Sequence, residues 1–450
     1  MPEATNKKID ASPTKEFFIS ILVRDISLVD AVKDLIDNSV DGARRLRPDG
    51  DFSGLSVQIA LTPEHFVIVD NCGGIPVQIA REYAFRFGRP PTVQAPPGTI
   101  GKFGVGMKRA LFKIGHQIAI RSVAIDSRFS LNWNVEEWKR QIDQDGKDMW
   151  ELEFTQVGEG ESNSRDETGT TLEVTQLHPG IASEFGDRQF INRLMDEIES
   201  AHEQSIEAGL EIEVNDTEIR HKLASLFYSD RLRPMKVTQT FPANPGGEAS
   251  PEDVKLTIVA GIAESSFVDA GWYVICNGRQ VLRADKSKVT GWDAEVEGVK
   301  NPRAHNQFSR FRGYAHFESA DPSRLPWNTA KSGLDAESKV YQWARTLMSS
   351  AMRQVIDFLN KLDAEIDTES SFLQSLVEGA RPVRLAALPP MSAFSYPDHA
   401  TESERPRLGR VSFQRNVEDI DFLKRYFGVS SAKLAGERSF DYVIERERDE

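Results

Sequence analysis

The sequence predicts an α+β protein: an α/β sandwich, then a second α/β domain and a small C-terminal module. Three observations lead there. Helical apolar periodicity alternates with short period-two runs that read as mainly antiparallel strands, glycine-rich turns separate the runs, and the pattern restarts near residue 185. At 450 residues the chain exceeds one ordinary core. The expected divisions are 1–182, 183–366, a helix and Pro-rich linker over 367–410, and a module over 411–450.

Residues 17–28 form an apolar lead-in to a helix over 30–47 (DAVKDLIDNSVDGARRLR). In that helix Asp34, Asn38, Asp41 and Arg45 share one narrow sector, while Leu28, Val32, Leu35, Ile36, Ala43 and Leu46 gather on the other side. Taken alone, the polar row reads as a solvated face. Strands follow at 55–61 and 65–70, closing on the turn 70–76 (DNCGGIP). A short helix over 77–88, a Pro-rich stretch and a helix over 106–115 precede strands at 117–124, 127–135 and 169–177. The second block carries a helix at 188–205, strands at 210–215, 254–264 and 270–282, and a long helix at 336–366. Residues 386–409 are Pro-rich and polar and read as a linker.

Composition narrows the function classes. Apolar runs such as 66–69 and 118–120 fall far short of the roughly 20 residues of a membrane span. Residues 1–16 lack the apolar segment of a secretory signal, so a cytoplasmic protein without membrane association is expected. Cys72 and Cys276 lie far apart and the eight histidines are scattered, which predicts reduced thiols and no zinc. A net charge of −14 argues against broad electrostatic binding of nucleic acid but leaves room for a local basic surface.

Two glycine segments carry chemistry. Gly98, Gly101, Gly104 and Gly106 precede a helix, a spacing that turns backbone N–H groups toward phosphate oxygens. No Walker pattern is present there. Asp70 closes a strand beside Gly73 and Gly74, where a carboxylate accepts from an exocyclic amine and the glycines admit a flat ring. That suits adenine, although an ordinary Asx turn has the same composition.

Together these pieces resemble the GHKL ATPase superfamily, which includes DNA gyrase B subunits, heat-shock chaperones, histidine kinases, MutL-type repair ATPases and microrchidia ATPases. In motif style the chain is most similar to the microrchidia, MutL and chaperone types. The acid-x-x-x-Asn helix is Asp34 to Asn38, the Asp-containing glycine box is 70–75, the glycine lid is 100–106, and Gly169-Thr170 precedes a strand. The resemblance implies binding and hydrolysis of ATP with Mg2+. Asn38 would be the metal ligand, Asp34 the general base, and Asp70 the partner of the adenine amine with Thr170 supporting it. Gly74 would lie near the base, Gly101, Lys102, Gly104, Val105 and Gly106 near the phosphates, and residues 86–100 would form a movable lid. Two departures stand out. Asp34 occupies a position usually held by Glu, shorter by one bond of about 1.5 Å, which implies slow turnover. Cys72 replaces the first glycine of the box.

Residues 325–334 (LPWNTAKSGL) resemble the chaperone segment that carries a basic residue to the γ-phosphate, here Lys331; an exposed loop lysine is the plainer alternative. Residues 272–282, with Asn277-Gly278-Arg279, resemble the strand-turn-strand of MutL-type transducer domains, though Asn-Gly is also an ordinary tight-turn signal. The resemblance therefore implies an ATPase in which ATP closes a lid and drives conformational change or homodimerisation. By analogy it fits a nucleotide-gated clamp in DNA maintenance or bacterial defence, with a nucleic-acid or protein client. The alternative is an ATP-binding switch with negligible turnover. A histidine kinase fits less well, because a transducer-like segment follows the ATP domain and no phosphoacceptor helix precedes it.

Overall fold

The computed structural model describes residues 12–88, 99–101, 104–144, 146–160, 163–221, 223–328, 331–365, 371–397 and 414–448. It divides into two compact units, one over Met1–Lys361 and Ser375–Pro397, the other over Leu362–Gln374 and Asp398–Glu450.

The first unit opens with α1 (Lys15–Arg24) and α2 (Leu28–Leu46). Each has a hydroxyl N-cap: Thr14 accepts from the Phe17 N–H and Ser27 from that of Asp30. Strands β1 (Ser56–Leu61) and β2 (His65–Asp70) follow, then α3 (Val77–Ile79), α4 (Gly106–Ile114), β3 (Gly115–Val123), β4 (Ser127–Asn134), α5 (Val135–Lys139), β5 (Gln156–Glu159) and β6 (Gly169–Leu177). Next come α6 (Pro179–Phe185), α7 (Arg188–Glu207), β7 (Glu211–Val214) and β8 (Thr217–Glu218). The strands make one eight-stranded sheet in the order β5-β4-β3-β6-β2-β1-β7-β8. It has one buried face: β1 buries Val57, Ile59 and Leu61, and β4 buries Phe129, Leu131 and Trp133. The helix expected over 77–88 is shorter, because α3 passes into a π-turn at Ala80–Ala84.

The boundary expected at residue 182 is displaced. Strand β7 pairs in parallel with β1, Val57 opposite Ile212 and Ile59 opposite Val214, so the first sheet closes only near residue 218. A parallel neighbour requires a crossover, and the segment at which the sequence pattern restarts supplies it as α7.

The strands that follow are β9 (Ser225–Tyr228), β10 (Met235–Phe241), β11 (Val254–Ile262), β12 (Gly271–Cys276), β13 (Arg279–Asp285), β14 (Glu295–Val296), β15 (Val299–Lys300) and β16 (Phe311–Glu318). Of these, β14 and β15 make a separate short hairpin, and five form a second sheet in the order β10-β11-β16-β12-β13. Trp272, Trp292 and Phe311 pack together in its core, and Tyr341 of α8 (Lys339–Glu365) is buried with its hydroxyl donating to the Val289 carbonyl. Beyond α9 (Phe372–Glu378), β17 (Arg381–Arg384) pairs with β9. Residues 386–397, expected as linker, are packed instead. Leu388 and Phe394 are buried, and Lys236 donates to the carbonyls of Leu385, Ala386 and Leu388. Irregular chain held by backbone bonds has no periodicity for a sequence to reveal. The remainder of that stretch, 398–409, lies outside the described residues.

In the second unit α10 (Val417–Phe427) turns through Gly428, in the left-handed region at φ 65°, into α11 (Ala432–Arg448), and Phe427 meets Tyr442 edge-on. No helix among the described residues is long and apolar enough to cross a membrane.

Candidate functional site

From Ala31 to Ala43 every residue of α2 is buried except Asn38. The polar row of this helix therefore does not face bulk solvent. Asp34, Asn38, Asp41 and Arg45 line a cavity together with Gly101, Gly104, Val105, Gly106 and Lys331. An adjoining cavity is lined by Asp70, Gly74 and Thr170 with Ser39 and Cys72, and Asn38, Arg45, Ile75 and Met107 border both. The structure thus gathers all the expected site residues that it describes. Lys102 and most of the expected lid, 89–98, lie outside the described residues.

Strand pairing builds the second cavity. Asp70 ends β2 opposite Thr170 on β6. Its Oδ1 accepts from the N–H groups of Cys72 at 2.9 Å and Thr170 at 3.3 Å, and its Oδ2 from the Ser39 hydroxyl at 2.8 Å. Burial pushes the Asp70 carboxyl above its ordinary value in spite of those donors and the Arg45 charge. The turn after it uses Gly73 at φ 89° and Gly74 at φ 65°. A Cβ on Gly74 would lie 2.0 Å from the Val123 carbonyl oxygen, so only glycine fits. Cys72 keeps an ordinary backbone conformation, and burial raises its thiol.

The glycine segment is tied to α2. Asp41 accepts from the consecutive N–H groups of Ile100 at 2.7 Å and Gly101 at 3.0 Å. Burial pushes its carboxyl up, against Arg44 and those two donors. Helix α4 then starts at Gly106 with no side-chain cap from Val105, so its first N–H groups are left for the cavity.

Beneath this lies a buried charge cluster. Arg109 donates through Nε at 2.8 Å and Nη2 at 2.5 Å to Asp34 Oδ2. Lys331 Nζ donates to Asp34 Oδ1 at 3.2 Å and to Asp37 Oδ2 at 2.7 Å. Asp37 Oδ1 also meets His202 Nε2 at 3.1 Å and Arg279 Nε at 3.1 Å, the arginine as an ion pair whose N–H is not aligned for a hydrogen bond. Burial alone would raise the Asp37 carboxyl; Lys331, Arg279 and His202 together hold it well below the usual range. Burial alone would likewise lower Lys331, and Asp37 and Asp34 instead keep its ammonium above its ordinary value. Lys331 sits in the left-handed region at φ 54°, a conformation that non-glycine residues adopt under constraint.

Sequence reasoning missed Asp37, Arg109, His202 and Arg279. Signals existed for two of them: Asp37 adjoins Asn38 on the flank of the polar row, and Arg279 completes the Asn277-Gly278-Arg279 turn.

A family model for histidine kinase-, DNA gyrase B- and HSP90-like ATPases matches residues 26–169. These residues form a GHKL-type ATPase domain. The matched span carries Asp34, Asn38, Asp70 and the glycine segment, and it supports binding of ATP by this domain. Comparison with curated proteins finds no match.

Proposed function

We propose that this protein is a Mg2+-dependent ATPase whose ATP state couples the GHKL domain to the second sheet through Lys331. One observation carries the reading. Asn38 is the lone exposed side chain in a buried stretch of helix, and it stands where the Asp70 cavity joins the cavity at the uncapped start of α4.

The donor set fits the ligands. A buried acceptor-only carboxylate suits an exocyclic amine, free helical N–H groups suit phosphate, and a carboxamide oxygen suits a hard cation. Asn38 would hold Mg2+, which neutralises charge on the phosphates when bound. Asp70 accepts from adenine, with Thr170 donating to the same carboxylate through its N–H and Gly74 bringing the backbone close. Gly101, Gly104, Val105 and Gly106 line the phosphate end, and Lys102 adjoins them in sequence. Asp34 takes a proton from the attacking water, and Lys331 exchanges its carboxylates for the γ-phosphate. Lid closure and homodimerisation follow as consequences of the triphosphate state. The second sheet then acts as the transducer.

Phosphate release by the parent protein and by Asp34→Asn tests this. The parent is expected to release phosphate slowly, and the variant to bind ATP without releasing any. Size-exclusion chromatography with light scattering in ADP, ATP and a non-hydrolysable analogue, with and without duplex DNA, tests dimerisation and a clamp role. A second reading, an ATP-binding switch, is favoured by the cations on both Asp34 oxygens. ATP binding with no phosphate release would select it.

A further inference from the structure

A carboxylate oxygen accepts along two lone-pair directions. On Asp34, Oδ2 takes two N–H donors of the one Arg109 guanidinium, Nε at 2.8 Å and Nη2 at 2.5 Å. Among the described residues Oδ1 takes Lys331 alone, at 3.2 Å, while the shorter bond of that ammonium, 2.7 Å, goes to Asp37. The two oxygens of one side chain are therefore unequal. Among the described residues, Oδ2 is chelated by two donors of a partner on α4, while Oδ1 holds a single lysine that has an alternative acceptor.

We infer that Arg109 is a positioning residue for proton transfer: it pins Oδ2 and so makes Oδ1 the oxygen that takes the proton from water. This rests on the reading of Asp34 as proton acceptor. Both partners stand on helices, Asp34 on α2 and Arg109 three residues into α4 after Gly106, and both are buried, so the pair is held by rigid elements. Gly106 leaves room for it, since a Cβ there would lie 3.3 Å from Asp34 Oδ2. An arginine supplies two parallel donors from one planar group, which fixes orientation as well as charge, and a lysine ammonium cannot reproduce that fork.

The test uses the full chain, with kcat and KM for ATP and calorimetry with ADP. Arg109→Met should lower kcat by about 100-fold, the loss expected for a misplaced catalytic group, with KM and ADP affinity within about twofold of the parent. Arg109→Lys should recover only part of that loss. In an Asp34→Asn background, which binds ATP without turnover, Arg109→Met should leave the affinities for ATP and ADP within about twofold, because only the proton step needs the pinned oxygen; a merely structural role would weaken nucleotide binding in both backgrounds. Parental turnover in Arg109→Met, or weakened nucleotide binding in the Asp34→Asn background, overturns the inference. So does a parent that binds ATP without hydrolysing it, whereas a parent that fails to bind ATP overturns the site itself. Should Arg109→Met lose the parental melting transition, Arg109→Lys, which keeps the charge, carries the same comparison.

Discussion

The ammonium of Lys331 and the carboxylate of Asp37 meet at 2.7 Å although 294 positions separate them in the chain. This bond ties the loop ahead of α8 to the helix that carries Asn38, and Asp37 holds Arg279 of β13 on its other oxygen. One buried carboxylate thus anchors two cations from the second sheet's side of the molecule beside the cavity at the start of α4.

If Lys331 leaves Asp37 for the γ-phosphate, only the triphosphate gains contacts from both sheets, and only it favours a closed form. Lys331→Ala should therefore bind ADP normally but lose hydrolysis and any ATP-specific compaction or dimerisation. It should also cost about 2 kcal/mol of stability, the scale of a charged hydrogen bond, because Asp37 keeps Arg279 and His202. Normal ATP response in the variant, read by light scattering, would remove Lys331 from the mechanism.

Asn38→Ala should abolish Mg2+-dependent ATP binding while leaving the melting temperature nearly unchanged, since the side chain is exposed to the cavity and not part of the core. Calorimetry with and without Mg2+ checks it. Unchanged affinity in the presence of the metal would contradict the assignment.

Asp70 offers a test by proton linkage. Burial holds its carboxyl above the ordinary value, whereas an amine donor favours the ionised form. Nucleotide binding should therefore release protons as the pH approaches that raised value, and ATP affinity should weaken as pH falls through it. Calorimetry in buffers of different ionisation heat measures the release. Asp70→Asn, which presents a donor to the amine, should weaken ATP by about 10–100-fold, the effect of a penalty of about 1.5–3 kcal/mol, and should narrow the preference for ATP over GTP.

His202 sets an acid limit on stability. Burial holds its imidazole below the ordinary value, with Arg279 adding to this and the Asp37 hydrogen bond opposing it. The unfolded chain takes up a proton near pH 6.5 that the folded chain refuses, so stability falls as pH drops from there toward the folded value. His316, also lowered by burial, acts in the same direction. Asp37, held well below the carboxylate range, keeps its contribution until far more acid conditions. The melting temperature should be lower at pH 5.5 than at pH 7.5, and His202→Gln should shrink that difference. An undiminished difference would place the acid sensitivity elsewhere.

What the sequence made legible was local. Strand β6 begins and ends at Gly169 and Leu177 as its alternation predicts, and Asp34, Asn38, Asp41 and Arg45 share one sector as their spacing predicts, although the spacing alone read as a solvated face and the row lines a cavity. What it concealed was long-range. Asp37 stands on the flank of the polar row, but nothing local marks its partners His202, Arg279 and Lys331, which lie on other elements brought in by the fold. Packed irregular chain around Leu388 and Phe394 resembled a linker for the same reason: burial there depends on a distant sheet and not on a repeat.

The displaced boundary yields the last prediction. A chain cut after residue 182 loses α7 and β7, and with them the buried side chains of Phe190, Leu194, Ile198, Ile212 and Val214. At about 2 kcal/mol each the loss is about 10 kcal/mol, as large as the whole stability of an ordinary domain, about 5–15 kcal/mol. It also bares the β1 edge that β7 covers. The shorter chain should therefore aggregate or remain unfolded and bind no ADP. A chain cut after residue 220 keeps β7 and β8 on the sheet and should fold and bind ADP, yet hydrolyse ATP poorly without Lys331. Circular dichroism and ADP calorimetry on the two chains decide the matter. A folded, ADP-binding chain of residues 1–182 would show that β7 is dispensable and that the boundary read from the sequence was sufficient.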